Sequence, residues 1–387
     1  MIASNDTAER RKPNGDDAPR RIAYLSLQAV EQGQDTWASV NEIVEGWRRC
    51  GWQVDTWFVS YPSATPSAAE RIREMRRIQA RLQTRLGDYD AAYIRAHVMA
   101  YPTSVAASEL GMPVFQECNG TYEDLFVAWP VTRLARPLFE GRMRRQFRDA
   151  TFIFCGTEQQ KLWLQRETGH DRIEVSPNGA NSEVFRPDVP KRPGLPEKYV
   201  LFFGQLAPWQ GIEVLLAARE SGTWPSGVKL VFAGDGSRRS AVETAVGSSQ
   251  GEVVYLGRLP YEELPGVVAH CAASTSPQFT EERGTEGFSA LKLYESMSCG
   301  VPVIGSDYPG VGDVIRRYEC GLVVTPGDAK ALACAVAQIV ACPDEAREMG
   351  ERGRWAVELE CSWRARAAQR QAAMERAILQ VRDRGAS

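Results

Sequence analysis

The sequence predicts an α/β protein of two similar halves, each built on a parallel sheet, with a ligand cleft between them. Three observations carry this. Strand-like and helix-like segments alternate along nearly all of the 387 residues, the pattern that feeds parallel sheets. Prolines at 187, 190, 193 and 196 interrupt the alternation once, near its middle, in a spacing that neither a helix nor a central strand tolerates. The length is generous for one hydrophobic core and comfortable for two.

Each element follows from its own pattern. RIAYLSL, from Arg21, is a first strand, and DTWASVNEIVEGWRRCG sets Val40, Ile43, Val44 and Trp47 at helical spacing before Gly51 stops it. WQVDTWFV is a second strand, AAERIREMRRIQARLQTRLG a basic helix, and AAYIRA a third strand. SVAASELG, MPVFQEC, ATFIFCG and RIEVSPNG continue the alternation to about residue 180. Beyond the prolines it restarts with YVLFFG, GIEVLLAARE, VKLVFAGDG, EVVYLG, a helix in YEELPGVVAHC, the strand AASTSP, a helix from about Ala290 to Ser298, and VPVIGSD. A long helix, CSWRARAAQRQAAMERAILQVRDR, closes the chain. The expected organisation is a disordered tail (1–19), a first domain (20–186), a linker (187–198), a second domain (199–361) and a closing helix (362–387) open to packing back on the first domain.

Composition narrows the class. Charged residues make up 25% and the net charge is −3, which gives no push toward nucleic acid. Nine cysteines show no CxxC pair, and the three histidines are scattered, so reduced thiols in a cytoplasmic protein fit better than a disulfide framework or a zinc site. The first residues are polar and turn-rich, and no stretch reaches the roughly 18 apolar residues of a membrane span.

One stretch raises a chemical question. In RGTEGFSALKLYESMSCGVPVIGSD, from Arg283 to Asp307, Ser289 reads as an N-cap and Lys292 falls in the first helical turn. Unpaired N–H groups there carry partial positive charge and disfavour an ammonium unless an anion joins them.

VSPNGANSEVFRP (175–187), FFGQLAPWQG (202–211), LVFAGDGS (230–237) and EGFSALKLYESMSCGVPVIGSD (286–307) together resemble the family 4 glycosyltransferases of the group 1 type. The resemblance runs from about residue 20 to 365. It implies the GT-B architecture: two facing Rossmann-like domains with parallel sheets and an interdomain cleft. It also implies hexosyltransferase chemistry, in which a sugar passes with retention from a nucleotide-sugar donor to an acceptor hydroxyl. No metal or other cofactor is required, the donor sits mainly on the second half and the acceptor on the first.

The same resemblance assigns residues. Lys292 would bind the donor diphosphate, and Glu295 the nucleotide ribose, whose vicinal hydroxyls suit two carboxylate oxygens. Gly204, Gln205, Gln210, Gly234, Gly287, Phe288, Ser289 and Leu291 would line the donor site. Two features depart from the pattern. The family's two glutamates are eight positions apart, whereas Glu286 and Glu295 are nine apart, with Gly287 at the expected position. A one-residue bulge would restore Glu286; otherwise Glu281 or Glu282 would serve, or no carboxylate at all. Gln205 and Gln210 stand where a basic pair is common, so their amides would donate without charge and Lys292 would carry more of the phosphate. On the acceptor side, Gly33 and Gln34 resemble a glycine-bearing loop, while Glu117 and Asn119 in QECNG suggest acceptor binding or site architecture. His97, after the third strand, would sit near the reacting sugar, and a structural role competes with that reading.

Alternatives stay open at this point: a nucleotide-sugar epimerase on the same fold, or a non-catalytic nucleotide-sugar-binding protein. The segment 132–148 holds six arginines among Leu134, Leu138, Phe139, Met143 and Phe147. It reads either as an amphipathic helix with its apolar stripe on the core or as a peripheral contact with an anionic membrane face.

Overall fold

The computed structural model describes residues 19–30, 35–61, 66–278 and 286–386; most of the expected tail, together with Gly33, Gln34, Glu281 and Glu282, lies outside them. Among the described residues, twelve strands form two six-stranded sheets. The first contains β1 (Arg21–Ser26), β2 (Gln53–Phe58), β3 (Ala91–Arg95), β4 (Val114–Cys118), β5 (Phe152–Cys155) and β6 (Ile173–Val175), in the order β2-β1-β3-β4-β5-β6. The second contains β7 (Tyr199–Phe203), β8 (Lys229–Ala233), β9 (Val253–Tyr255), β10 (Ala273–Ser276), β11 (Val303–Ser306) and β12 (Gly321–Val324), in the order β12-β11-β10-β7-β8-β9. Neighbouring strands pair in parallel in both sheets. Strands such as β7, buried at every position, read as continuous apolar runs because helices cover both faces.

The helices begin where local chemistry starts them. Ser67 and Glu70 form a reciprocal capping box ahead of the helix Ala68–Gln83, and Thr157 caps Glu158–Thr168, which ends on left-handed Gly169. The segment YEELPGVVAHC is less helical than its pattern predicts: a 3-10 turn (Tyr261–Glu263) precedes a single short helix, Leu264–Val268. The linker carries no regular element between 187 and 198. It is fastened to the second domain by Arg192 N–H to Gly266 O (3.2 Å) and His270 Nε2 to Val189 O (2.8 Å).

The closing helix, Trp363–Ala386, packs on the first domain. Trp47 Nε1 donates to Ala367 O at 3.0 Å, and Trp363, Ala373, Met374 and Ile378 share a core with Ile22, Tyr24, Val40 and Trp47.

Candidate functional site

Each sheet reverses its strand order once, and in open α/β sheets ligands gather beyond the carboxyl ends of strands at such a reversal. In the second sheet it lies between β7 and β10. There β7 runs into Gly204 (φ +114°) and the neighbouring β8 into Gly234 (φ +147°). A Cβ on Gly234 would stand 1.8 Å from Gly204 O, so close approach of the two strand ends demands glycine at 234.

The helix Leu291–Ser298 opens beside these ends, and Lys292, its second residue, is only 8% exposed. Its Nζ donates to Gln210 Oε1 at 2.8 Å and lies 3.8 Å from the centre of the Phe202 ring, within cation–π range. Gln278 Nε2 donates to the same Gln210 oxygen at 3.3 Å, and Ser276 Oγ to Gln278 Oε1 at 2.8 Å. The two donors fix the Gln210 amide with its oxygen toward the lysine. A basic side chain at 210 would repel Lys292, whereas the amide accepts from it and orients it. Gln205 is exposed on the same loop. Glu295 is buried one turn along the helix. Burial, reinforced by the Glu295 carboxylate, pushes the Tyr261 phenol well above its ordinary value.

Ser289 does not cap this helix. Ala290 occupies the N-cap position and no described side chain caps it; Ser289 Oγ instead accepts from Asn178 N–H at 2.8 Å. Thus a buried ammonium and helix-start N–H groups converge at the strand ends, an arrangement that attracts an anion.

The loop 286–290 is gripped from both sides. From the first domain, Thr157 Oγ1 donates to Glu286 O (2.6 Å), Gln160 Nε2 to Gly287 O (3.0 Å), and Asn178 Nδ2 to Ser289 O (2.7 Å). From the second, Phe288 N–H reaches Pro309 O (3.3 Å). Gly287 (φ +69°) fits because a Cβ would stand 2.1 Å from Pro309 O. Glu286 is half-buried, and Leu291 packs against the core shared with the closing helix.

In the first domain Glu117 is a hub. Its Oε1 accepts from Arg95 at 2.9 Å and meets Arg370 at 3.4 Å, and its Oε2 accepts from Tyr24 OH at 3.0 Å. Burial alone would raise its pKa, but Arg95 and then Arg370 hold it below the usual carboxylate range. With Asn119, Ser176, Asn178, Phe288, Ser289 and others it lines an interdomain cavity of about 230 Å³. This cavity brings Glu117 and Asn119 together with Phe288 and Ser289 of the loop 286–290; Lys292, Gln210 and Glu295 are not among its lining residues. His97 Nδ1 accepts from Met99 N–H at 3.1 Å, capping a 3-10 turn. Burial lowers its pKa to about 4, so at neutral pH it is uncharged with its proton on Nε2. A larger open groove of about 640 Å³ runs along edge strand β2 among Arg21, Arg48, Arg81 and Arg85 and contains none of the expected residues. Arg48 there donates to Val54 O, as expected of arginines that guard a sheet edge.

Sequence reasoning missed Thr157, Gln160 and Gln278, which carry no motif signal. Asn181 accepts from Glu183 and Val184 N–H and donates to Glu42 at 2.7 Å.

Residues 186–355 match the family of glycosyl transferases group 1. A GDP-mannose-dependent alpha-(1-6)-phosphatidylinositol monomannoside mannosyltransferase of Mycolicibacterium smegmatis is 30% identical over 62% of this chain and 65% of its own length. An alpha-D-kanosaminyltransferase of Streptomyces kanamyceticus is 25% identical over 62% and 65%. The chain therefore spans less than two thirds of these relatives. Among solved structures, a sucrose-phosphate synthase from Thermosynechococcus elongatus superposes with a TM-score of 0.75 at 20% identity, covering 93% of this chain and all of the other. Anabaena HepE, crystallised with UDP and glucose, gives 0.68 at 13% identity over 92% and 99%. The two facing Rossmann-like domains are thus the GT-B fold.

Proposed function

We propose that the chain, whose residues 186–355 match the family of glycosyl transferases group 1, is itself such an enzyme and moves a sugar from a nucleotide-sugar donor to an acceptor hydroxyl with retention. One observation carries the reading: Lys292 is buried at a helix start, fixed by Gln210, at the strand-order reversal of the second sheet. As the bond between sugar and diphosphate breaks, negative charge grows on the departing phosphate oxygen. Lys292 and the helix-start N–H groups answer that charge without reorganising. The acceptor hydroxyl attacks from the face that the diphosphate leaves, forming the new C–O bond as the old one breaks and passing its proton to the departing phosphate oxygen. Glu295 takes the ribose, and neutral His97 offers its Nε2 proton as a hydrogen bond to the donor sugar. The acceptor approaches from the first-domain side. The names of the curated relatives, nucleotide-sugar enzymes among them, support the donor class, and nine free thiols fit a reducing compartment.

The test is a thermal-shift screen against nucleotide sugars, followed by donor turnover. A ligand at about 100 times its dissociation constant should stabilise the fold by roughly 2.7 kcal/mol. Lys292→Ala should lower turnover by about 10²–10³-fold. Conversion of the donor without any acceptor would indicate an epimerase, and binding without turnover against every acceptor a non-catalytic protein. No shift with any nucleotide sugar would refute the reading.

A further inference from the structure

The segment after β4 turns its apolar residues outward. The helix Tyr122–Ala128 gives way at Trp129 to a 3-10 stretch, Pro130–Ala135, and then to the helix Arg136–Arg148. The last helix uses only its later apolar positions for the core: Phe147 is buried, and Phe139 and Met143 pack beside Tyr122, Phe126 and Trp163. Ahead of them Trp129 is 44% exposed, Val131 70%, Leu134 90% and Leu138 52%. Scattered exposed apolar residues are ordinary, but four large ones within ten positions form a patch that calls for a partner.

The charge around the patch says which partner. Residues 129–148 hold Arg133, Arg136, Arg142, Arg144, Arg145 and Arg148 against Glu140 alone, a formal +5 on a chain of net −3. Arg136 is bonded to Glu123 and Glu140, Arg144 to Glu167, and Arg145 to Asp149. Arg133 and Arg148 are exposed and make no ion pair among the described residues. A second copy meeting this face symmetrically would set two such basic segments against each other. An anionic lipid surface satisfies both halves of the pattern, since apolar tips enter the headgroup boundary while arginines meet lipid phosphates.

We propose that the face from Trp129 to Leu138, with Arg133 among its apolar side chains, seats the protein on an anionic membrane surface. This rests on the exposed face alone and not on the transfer reading. The core-stripe expectation for 132–148 holds for Phe139, Met143 and Phe147 and fails for Leu134 and Leu138. Because β4 ends in Glu117 and Cys118 at the interdomain cavity, docking by the segment that follows β4 would tie that side of the cleft to the membrane.

The experiment is co-sedimentation of the full chain with vesicles of equal parts phosphatidylglycerol and phosphatidylcholine, compared with phosphatidylcholine alone. Binding should require the anionic lipid, fall with added salt, and weaken about fivefold in Arg133→Ala. A Val131→Asp/Leu134→Asp double variant should lose binding while melting like the parent, because both side chains are exposed. The proposal is overturned if neither vesicle binds, or if the double variant binds as well as the parent. It is also overturned if the parent instead forms a concentration-dependent dimer that the double variant lacks.

Discussion

Replacing Glu117 by glutamine removes the one carboxylate that two buried guanidinium groups share. Arg95 and Arg370 approach its Oε1 at 2.9 and 3.4 Å, and the three side chains are only 11%, 4% and 5% exposed for Arg95, Arg370 and Glu117. Tyr24 OH holds the other oxygen at 3.0 Å. Glutamine keeps the shape but leaves two buried cations without a counter-charge. Breaking a buried pair in this way costs about 3–5 kcal/mol. At roughly 2–4 °C per kcal/mol for a domain of this size, the first-domain transition should fall by roughly 6–20 °C. The assay is thermal and urea unfolding followed by near-UV circular dichroism and by scanning calorimetry, because a two-domain chain can melt in two steps. A double-mutant cycle with Arg370→Met should return a coupling of about 2 kcal/mol or more. A Glu117→Gln loss under about 1 kcal/mol, the worth of a solvated surface pair, or additive losses in the cycle, would refute the hub.

Three further outcomes are expected. Gly287→Ala must hold φ near +69° and put a Cβ 2.1 Å from Pro309 O; it should cost about 1–3 kcal/mol and reduce nucleotide-sugar stabilisation, and unchanged melting and binding would contradict the proposed packing of the loop. For His97, burial lowers the folded pKa from 6.5 to about 4. The unfolded chain therefore binds a proton that the folded chain refuses in this window, and stability falls as pH drops from 6.5 toward 4, by up to about 3 kcal/mol. His97→Gln should flatten that slope, whereas equal slopes in urea titrations would sink the assignment. Asn178→Ala deletes the 2.7 Å side-chain bond to Ser289 O; amide exchange in 286–290 should quicken in the absence of ligand, corresponding to about 1 kcal/mol of lost closure, and unaltered exchange would show that the seam does not depend on it.

The two-domain α/β plan was legible because parallel strands and their covering helices write distinct periods, and because four prolines mark the break. The unusual setting of Lys292 was legible for a related reason: an ammonium at a helix start contradicts local electrostatics and so points outside the helix, where the fold places Gln210 and Phe202. What stayed hidden depends on long-range partners. Ser289 has the residue type and position of an N-cap, yet its hydroxyl is taken by Asn178, 111 residues away in sequence. Thr157 and Gln160 are ordinary helix-start residues until the fold brings the 286–290 loop against them. In 132–148, spacing showed an amphipathic segment but could not show that the core has room only for its second half.

The closing helix has a consequence for synthesis. Trp47 donates to Ala367 across 320 residues, and Met374 and Ile378 help fill the core around Ile22 and Tyr24. A ribosome delivers every strand of the first sheet long before it delivers the helix that covers one face of it. The second domain is made during that wait, so the core of the first domain is completed only after the second domain has been made. Until that helix emerges, a nascent chain of this protein carries an uncovered apolar face, in a form exposed to aggregation and open to chaperones.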